Sequence, residues 1–205
     1  MKETTIYLVR HGQTEWNLEK RMQGHKNSPL TKLGVIQAKG LHKRLLDENI
    51  DFIYSSESKR AYDTAKIIKG NRNIPIVIKQ ELREIHMGHW EGLQQLDIIN
   101  KYPESWDHFW NKPHLYVPTE SGESYQELQD RVIPVIEDII NINQGKTVLV
   151  VTHRIALKII MAHFNNQEIH DIWNTSDIEP SSLSKVSIKD GITKILLHGD
   201  TSHYR

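Results

Sequence analysis

Two histidines and two arginines lie close to the ends of short apolar stretches of this sequence. Arg10-His11 ends the first stretch, Arg60 follows the second and His153 follows the third. Guanidinium groups are permanently charged and match phosphate oxygens, so paired arginines favour an anion, most simply a phosphoryl group. Positive neighbours keep imidazole neutral, and a neutral imidazole can attack phosphorus to form a phosphohistidine. These residue types therefore point to phosphoryl-transfer chemistry.

Such a reaction needs two further groups. His153 could donate to the equatorial phosphoryl oxygens, over which negative charge is spread in the transition state. The leaving alkoxide needs a proton, which a glutamic acid can supply. The spacing does not choose among four glutamates in polar segments: Glu15, Glu84, Glu91 and Glu123.

The composition excludes several other chemistries. The chain has 205 residues, of which 38% are hydrophobic and 25% are charged, as in a globular protein. It contains no cysteine, which excludes disulfides, thiolate catalysis, iron–sulfur clusters and cysteine-ligated zinc. Its twelve histidines include no HExxH spacing, so we expect no metal and no cofactor.

The charge and hydropathy patterns suggest no large macromolecular partner. Lys plus Arg and Asp plus Glu each number 26, which speaks against a chain-wide surface for nucleic acid or anionic membrane. The opening decapeptide lacks a leader or anchor pattern, and no segment approaches about 20 apolar residues. We therefore expect a cytoplasmic protein whose partner is a small molecule, while the oligomeric state stays open.

The elements that must position the chemistry are strands and helices in alternation. Pro75 makes the strand expected over 74–78 a weaker candidate, and Asp190-Gly191 predicts a hairpin turn between the last two strands. The predicted strands are 5–9, 51–54, 74–78, 147–151, 183–188 and 192–197. Apolar residues at helical spacing predict helices over 33–45, 57–68, 125–139 and 155–164.

This alternation predicts the α/β class, specifically a three-layer sandwich with a largely parallel central sheet and helices on both faces. We expect Thr31 to cap the first helix, Ser55-Ser56 to cap the second, and Pro134 to kink or end the third. In such sheets ligands bind beyond the carboxyl ends of the strands, where Arg10-His11, Arg60 and His153 would meet.

No repeat or linker divides the chain, so residues 1–205 are interpreted as a single domain. Residues 85–122 are weakly patterned and rich in aromatic side chains, and we interpret them as an insertion without a regular helix. Trp106, Phe109 and Trp110 within it could be packing residues or a pocket wall. The insertion, which would lie over the active site, is therefore a candidate lid or substrate wall.

Four motifs carry a resemblance to a known family. They are Leu8–Asn17 (LVRHGQTEWN), Ser55–Ala65, Leu82-Arg83-Glu84 with the following Gly88–Gly92, and Val150–His153. In this order they resemble the signatures of the histidine phosphatase, or phosphoglycerate mutase-like, superfamily, and the chain looks like its compact bacterial broad-specificity phosphatases. The resemblance covers residues 6 to about 160.

The resemblance implies roles for single residues. His11 matches the phosphorylated nucleophile, Arg10 and Arg60 match phosphate clamps, and His153 matches the histidine that stabilises the phosphoryl group. Glu84 matches the proton donor, which then acts as base for the hydrolytic water. Four further positions match substrate-binding residues: Thr14 as a phosphate neighbour, Asn17 in the pocket, and Gln23 and Gly24 in the loop that closes over the substrate.

One position departs from the family pattern. Arg154 stands where the family usually has glycine after its second histidine. If the backbone there needed a positive φ, arginine would be strained; if not, a third guanidinium could line the pocket. Our hypothesis is that Arg154 binds substrate and adds affinity for anionic substrates.

The sequence favours a metal-independent phosphomonoesterase that releases inorganic phosphate and prefers apolar or aromatic phosphomonoesters. A phosphoglycerate mutase is less favoured, because Glu84-Ile85-His86-Met87 lacks the Glu-Arg-His-Tyr run that the mutases carry. A specific metabolic phosphatase, of the α-ribazole phosphate or fructose-2,6-bisphosphate type, stays open. A non-catalytic phosphate-binding module is disfavoured, because binding alone needs no proton donor.

Overall fold

The computed structural model describes residues 3–204, in which six strands form one sheet. The strands are β1 (Thr4–Arg10), β2 (Phe52–Ser56), β3 (Ile76–Lys79), β4 (Thr147–Thr152), β5 (Leu183–Lys189) and β6 (Ile192–Asp200). Their order is β3-β2-β4-β1-β5-β6. The first four are mutually parallel, whereas β5 pairs antiparallel with β1 and β6 antiparallel with β5. The prediction of a largely parallel sheet is confirmed.

Seven α-helices in the described residues flank this sheet. They are α1 (Glu15–Leu18), α2 (Lys32–Arg44), α3 (Lys59–Lys69), α4 (Gln95–Lys101), α5 (Pro103–Asn111), α6 (Tyr125–Ile142) and α7 (Arg154–Phe164). None of the helices in this part of the chain is long and apolar enough to cross a membrane.

The central strands are buried on both faces, which explains their continuous apolar sequences. Ile6 and Leu8 of β1 point into the core shared with α6 and α7. Tyr7 and Val9 of the same strand point into the opposite core, beneath α2 and α3. The alternation along one strand thus joins two cores, and the predicted three-layer architecture is confirmed.

The local sequence signals explain most element boundaries. Asp190 and Gly191 both have positive φ, as the two-residue turn of the β5–β6 hairpin requires. The Thr31 hydroxyl accepts from the Gly34 amide and caps α2 as expected. The predicted capping of α3 by Ser55-Ser56 is wrong, because those residues continue β2; α3 begins at Lys59 with Ser58 as its N-cap.

Two helices occupy the segment that we interpreted as lacking regular structure. Pro103 begins α5, where its fixed φ suits the first helical position and its missing amide proton costs nothing. Phe109 of that helix is fully buried and lies 5.5 Å, centroid to centroid, from the Trp90 ring. The prediction of a non-helical insertion over 85–122 is therefore wrong, because aromatic packing stabilises helices whose apolar period is too short to recognise.

One other expectation needs correction. Pro134 does not end its helix, since α6 runs unbroken over 18 residues with Pro134 on its exposed side. That residues 1–205 form a single domain stays a prediction, and Met1, Lys2 and Arg205 of that range lie outside the described residues.

Candidate active site

Two neighbouring parallel strands bring the two histidines together. Arg10 and Thr152 are the last residues of β1 and β4 and stand opposite each other in the register. The residues that follow, His11 and His153, have ring centroids 5.2 Å apart. The carboxyl edge of the sheet therefore holds a pair of imidazoles, as expected for this sheet class.

The His11 ring is held in one tautomer. Nδ1 lies 2.8 Å from the Gly12 carbonyl oxygen, which can only accept, so Nδ1 carries the proton. Nε2 then presents its lone pair, and Arg60 Nε donates to it at 3.3 Å. Burial, followed by the positive charges of Arg60 and Arg10, lowers the pKa of His11 well below its ordinary value. The ring is thus a neutral imidazole with a nucleophilic Nε2.

Arg60 is clamped by a loop that passes over it. Its Nη1 donates to the Lys26 carbonyl at 2.7 Å and its Nη2 to the Gly24 carbonyl at 2.8 Å. The side chain is almost completely buried, and burial lowers its pKa to about 10, so it stays charged at neutral pH. Carbonyl partners fix the guanidinium without cancelling its charge, which leaves a positive field on His11.

Arg10 is the second buried guanidinium. Its Nη1 donates to the Ile178 carbonyl at 2.6 Å, whereas its buried Nε has no hydrogen-bond partner within residues 3–204. Burial is the main cause that lowers its pKa to about 10. A buried donor without a partner is costly, and an oxyanion beside His11 would satisfy it.

His153 is fully buried against the end of β2. Its Nε2 lies 2.9 Å from Ser56 Oγ, and its buried Nδ1 has no partner in the described part of the chain. Burial, followed by the positive charges of Arg60 and Arg10, lowers its pKa well below the ordinary value. Ser56 therefore fixes the orientation of a neutral second imidazole.

Glu84 caps the helix that follows His153. Its carboxylate accepts from the amides of Ile155 and Ala156, each at 3.1 Å, and from its neighbour Ile85 at 3.0 Å. The first turn of α7 offers unpaired amide donors, so these bonds aim a carboxyl group at the site. The side chain is buried and lines the same cavity as His11.

The other three glutamates do not line this cavity. The Glu91 carboxylate accepts from the amides of His25, Lys26 and Met87, which ties the loop above Arg60 to the following segment. Glu123 pairs with Arg131 at 2.7 Å. Glu15 is exposed in the first turn of α1. Among the four glutamates left open by the sequence, Glu84 is therefore the one placed to reach a group on His11.

The cavity at this edge has a volume of about 80 Å³, enough for one small anionic group at its base. It is lined by most of the predicted residues: Arg10, His11, Asn17, Gln23, Gly24, Arg60, Glu84 and Arg154. A larger cavity of about 460 Å³ lies beside α6 and α7 and contains none of them. The small cavity is the candidate site, because buried guanidiniums and a neutral nucleophile converge there.

The predicted substrate-binding residues divide into two groups. Thr14 does not line the cavity; its hydroxyl donates to Asn17 Oδ1 at 3.0 Å and accepts from Gln23 Nε2 at 2.8 Å. It therefore positions the two residues that do. Gly24 has φ +51°, and a Cβ there would lie 2.1 Å from a carboxylate oxygen of Glu91, so glycine is required.

Arg154 begins α7 and is not among the described non-glycine residues with positive φ. The alternative of backbone strain is therefore excluded, and the third guanidinium lies at the cavity wall. Its Nε and Nη2 contact the two carboxylate oxygens of Asp177, at 3.0 and 2.6 Å.

Several residues at the site were not singled out from the sequence. Ser56 was seen only as part of a cap and a motif, and nothing in the sequence marked Asp177. Five lining residues come from α4, α7 and the connecting segments, and no local signal identifies them: Arg21, Met22, Met87, Gln95 and Ile155. Trp110, of the predicted wall, does line the cavity.

Three relatives describe what the chain is similar to. Bacillus stearothermophilus YhfR has a solved structure that matches with a TM-score of 0.95 and 41% identity, covering 98% of this chain and all of that one. Phosphoserine phosphatase 1 of Hydrogenobacter thermophilus is 30% identical over 97% of this chain and 93% of its own length. Adenosylcobalamin/alpha-ribazole phosphatase of Escherichia coli K12 is 30% identical, over 82% of this chain and 83% of its own.

The family comparison agrees with these relatives. The model of the histidine phosphatase superfamily (branch 1) matches residues 6–201, which include all four motifs and the whole candidate site. Proteins similar to this chain are named phosphatases and phosphoglycerate mutases. The chain therefore belongs to the histidine phosphatase superfamily, and it is an enzyme of the phosphatase and phosphoglycerate mutase-like type.

Proposed function

We propose that this chain hydrolyses small-molecule phosphomonoesters through a phosphohistidine on His11, without a metal or another cofactor. The observation that carries the proposal is the state of the His11 ring. Its Nδ1 donates to Gly12, its Nε2 lone pair faces Arg60, and burial among guanidiniums keeps it neutral. A neutral nucleophile in an anion-binding cavity suits attack on phosphorus.

In the first half-reaction, the lone pair of His11 Nε2 attacks phosphorus and forms an N–P bond while the ester P–O bond breaks. The protonated Glu84 carboxyl gives its proton to the departing oxygen and becomes a carboxylate. Arg10, Arg60 and His153 hold the equatorial oxygens and stabilise their charge in the transition state. The alcohol leaves, and the phosphoryl group stays on His11.

In the second half-reaction, the Glu84 carboxylate takes a proton from a water molecule. The water oxygen attacks phosphorus and the N–P bond breaks. The bonding electron pair returns to His11 Nε2 as its lone pair, and inorganic phosphate leaves. Glu84 thereby regains the proton that it gave in the first half-reaction. The two guanidiniums supply positive charge at the phosphoryl group, which is the reason to expect turnover without Mg²⁺.

The walls of the cavity support broad specificity with a preference for apolar or aromatic phosphomonoesters. Above the cationic base, the lining includes the apolar side chains of Met22, Met87, Trp110 and Ile155. Such a wall rewards the area of a ring or chain more than a particular hydrogen-bond pattern. The insertion, with Trp110 on α5, would then act as the substrate wall, with Asn17, Gln23, Gly24 and Arg154 as binding residues.

Two other enzyme classes remain alternatives to this proposal. A specific metabolic phosphatase has support from the 30% identical alpha-ribazole phosphatase. A phosphoglycerate mutase would need a free cation for the substrate carboxylate, and the two further arginines that line the cavity are already paired, Arg21 with Glu19 and Arg154 with Asp177. This pairing favours hydrolysis of phosphomonoesters whose alcohol portion is uncharged over mutase chemistry.

The test is hydrolysis of p-nitrophenyl phosphate in the presence of EDTA. We expect turnover by the wild type and by a His163→Ala control, which removes a half-exposed imidazole outside the site. The His11→Ala variant should lose activity by at least about 10³-fold. Tight phosphate binding without turnover would instead support a binding module. Isomerisation of phosphoglycerates that depends on bisphosphoglycerate and outruns phosphate release would support a mutase.

A further inference from the structure

An ion pair stands at the wall of the candidate site. Arg154 Nε and Nη2 contact Asp177 Oδ1 and Oδ2 at 3.0 and 2.6 Å, a two-point contact between guanidinium and carboxylate. Arg154 lines the cavity together with Trp110. The Arg154 side chain is 31% exposed and the Asp177 side chain is 46% exposed, so the ion pair is accessible to a ligand.

The pair is held from several sides. The Arg154 guanidinium carbon lies 5.1 Å from the Trp110 ring centroid and 5.4 Å from that of Trp173. Behind it, the buried Lys158 Nζ donates to the carbonyls of Thr175 and Ser176, at 3.0 and 2.8 Å. These bonds fix the segment that carries Asp177, so the ion pair is preformed.

The backbone of that segment also reaches the base of the cavity. Asp177 Oδ1 accepts from the Ile178 amide at 2.8 Å, and the Ile178 carbonyl accepts from Arg10 Nη1 at 2.6 Å. Burial raises the pKa of Asp177, but the Arg154 guanidinium and these hydrogen bonds outweigh it and lower that pKa. The Asp177 carboxylate is therefore charged at neutral pH and sits close to both arginines.

The four guanidiniums that line the cavity are thus not equivalent. Arg21 is paired with the Glu19 carboxylate. Arg10 and Arg60 are bonded to backbone carbonyls, which leave their full charge for a phosphoryl group. Arg154 is bonded to a carboxylate, which offsets its charge. A second anionic group on a substrate would meet a guanidinium that is already occupied and whose charge Asp177 offsets, which disfavours that substrate class.

We propose that Asp177 is a specificity-determining residue, which makes the site favour phosphomonoesters whose alcohol portion carries no negative charge. It acts through Arg154, whose charge it offsets at the cavity wall. This inference rests on the proposed phosphomonoesterase function and names its substrate class. It also refines the hypothesis for Arg154, whose contribution to binding anionic substrates is latent while Asp177 is ionised.

The experiment uses two substrates that differ only in whether the alcohol portion carries a carboxylate. Glycerol 3-phosphate carries a hydroxymethyl group where 3-phosphoglycerate carries a carboxylate, and phosphate release gives kcat/KM for each. The variant is Asp177→Asn, which removes the charge but retains an oxygen for the Ile178 amide. The matched control is Asp138→Asn, which removes the same charge from an exposed position on α6.

We expect Asp177→Asn to raise the ratio of kcat/KM for 3-phosphoglycerate over glycerol 3-phosphate by about tenfold. Asp138→Asn should leave this ratio unchanged, and Asp177→Glu should restore it toward the wild-type value. In the double variant Asp177→Asn/Arg154→Gln the gain should vanish, because the freed guanidinium causes it. A ratio that Asp177→Asn leaves unchanged, or a gain that survives loss of Arg154, would overturn the inference.

Failure of the proposed function would look different. In that case the wild type would release phosphate from neither substrate, and no ratio of kcat/KM could be formed. Calorimetry would then measure the binding of both compounds to the wild type and to Asp177→Asn, and the ratio of affinities would replace the ratio of kcat/KM. An Asp177→Asn protein with a lowered melting temperature but an unchanged ratio would mean that the pair is structural, and the inference would be wrong.

Discussion

The base and the wall of the cavity differ in how their cations are held. At the base, Arg10 and Arg60 are buried and bonded to carbonyls of Ile178, Gly24 and Lys26. At the wall, Arg154 is part-exposed, stacked on tryptophans and paired with a carboxylate. Carbonyl partners keep a cation available for a ligand, whereas a carboxylate partner neutralises it. Changes to the two arginines of the base should therefore affect all substrates alike, and changes at the wall should alter the preference among them.

The largest effect is expected for Glu84, and it should depend on the leaving group, because this residue transfers a proton and does not hold the phosphoryl group. Glu84→Gln removes the proton that an alkoxide needs but that p-nitrophenolate hardly needs. We expect kcat for glycerol 3-phosphate to fall by about 10³-fold and kcat for p-nitrophenyl phosphate to fall far less. Steady-state assays on both substrates check this. An equal loss on both would show that Glu84 acts only as the cap of α7.

Arg60 offers a test of geometry rather than charge. Lysine keeps the positive charge but cannot contact His11 and two backbone carbonyls at once, as the guanidinium does. We expect Arg60→Lys to lower kcat/KM by about 100-fold, by the same factor for aryl and alkyl esters. Arg72→Lys, a change outside the cavity, is the control. A loss confined to one substrate class would show that Arg60 selects among substrates, as expected for a wall residue.

Ser56 should act as a positioning residue, through its contact of 2.9 Å with His153 Nε2. We expect Ser56→Ala to lower kcat by about tenfold with little change in KM, because the second imidazole loses its orientation while the phosphate clamps stay in place. Ser56→Thr, which retains a hydroxyl, should recover part of the rate. A change in KM alone would contradict this role.

The buried imidazoles should also make the free energy of unfolding depend on pH. Because the folded pKa of His153 lies below the unfolded value, the unfolded chain binds more protons as the pH falls below about 6.5. The contribution of neutral His153 to the free energy of unfolding is fully present above that pH. It is lost as the pH falls toward the lower folded pKa, by at most about 1.4 kcal/mol per pH unit. Denaturant unfolding of wild type and His153→Gln from pH 8 to 5 checks this. Parallel curves for the two proteins would contradict it.

The smallest effect is expected at the wall. Trp110→Ala removes an aromatic surface from the cavity and one of the two rings that stack on Arg154. We expect the preference for p-nitrophenyl phosphate over glycerol 3-phosphate to fall by about fivefold, with kcat for the alkyl ester nearly unchanged. Kinetics on the same pair of substrates measure it. A uniform loss on both would assign Trp110 to packing.

The same division explains what the sequence could predict. The base follows from strand ends: apolar runs mark β1 and β4, the parallel-sheet rule places their carboxyl ends together, and Arg10, His11 and His153 follow directly. The layer architecture, the β5–β6 hairpin and the Thr31 cap depend on equally local signals. Arg10, His11 and His153 were therefore within reach of spacing and elementary chemistry, whereas the choice of Glu84 among four glutamates came only from the resemblance.

Trp110 and Arg154 of the wall were predicted from the sequence, but the pairing of Arg154 was not within reach, because it joins segments that are far apart in sequence. Asp177 lies 23 residues after Arg154, in a segment without periodicity, and only the folded chain pairs them. The helices of the insertion were missed because α4 and α5 have seven and nine residues, too few for a clear apolar period. Thr14 was expected beside the phosphate, but the fold uses its hydroxyl to position Asn17 and Gln23.

The central claim is that His11 Nε2 attacks phosphorus. The most direct measurement is rapid quenching of the enzyme with ³²P-labelled substrate under alkaline conditions, which preserve phosphohistidine, followed by peptide mapping. The account predicts label on His11, stable in alkali and lost in acid, and none in a His11→Asn variant. Label on another side chain, or steady turnover by His11→Asn, would contradict it.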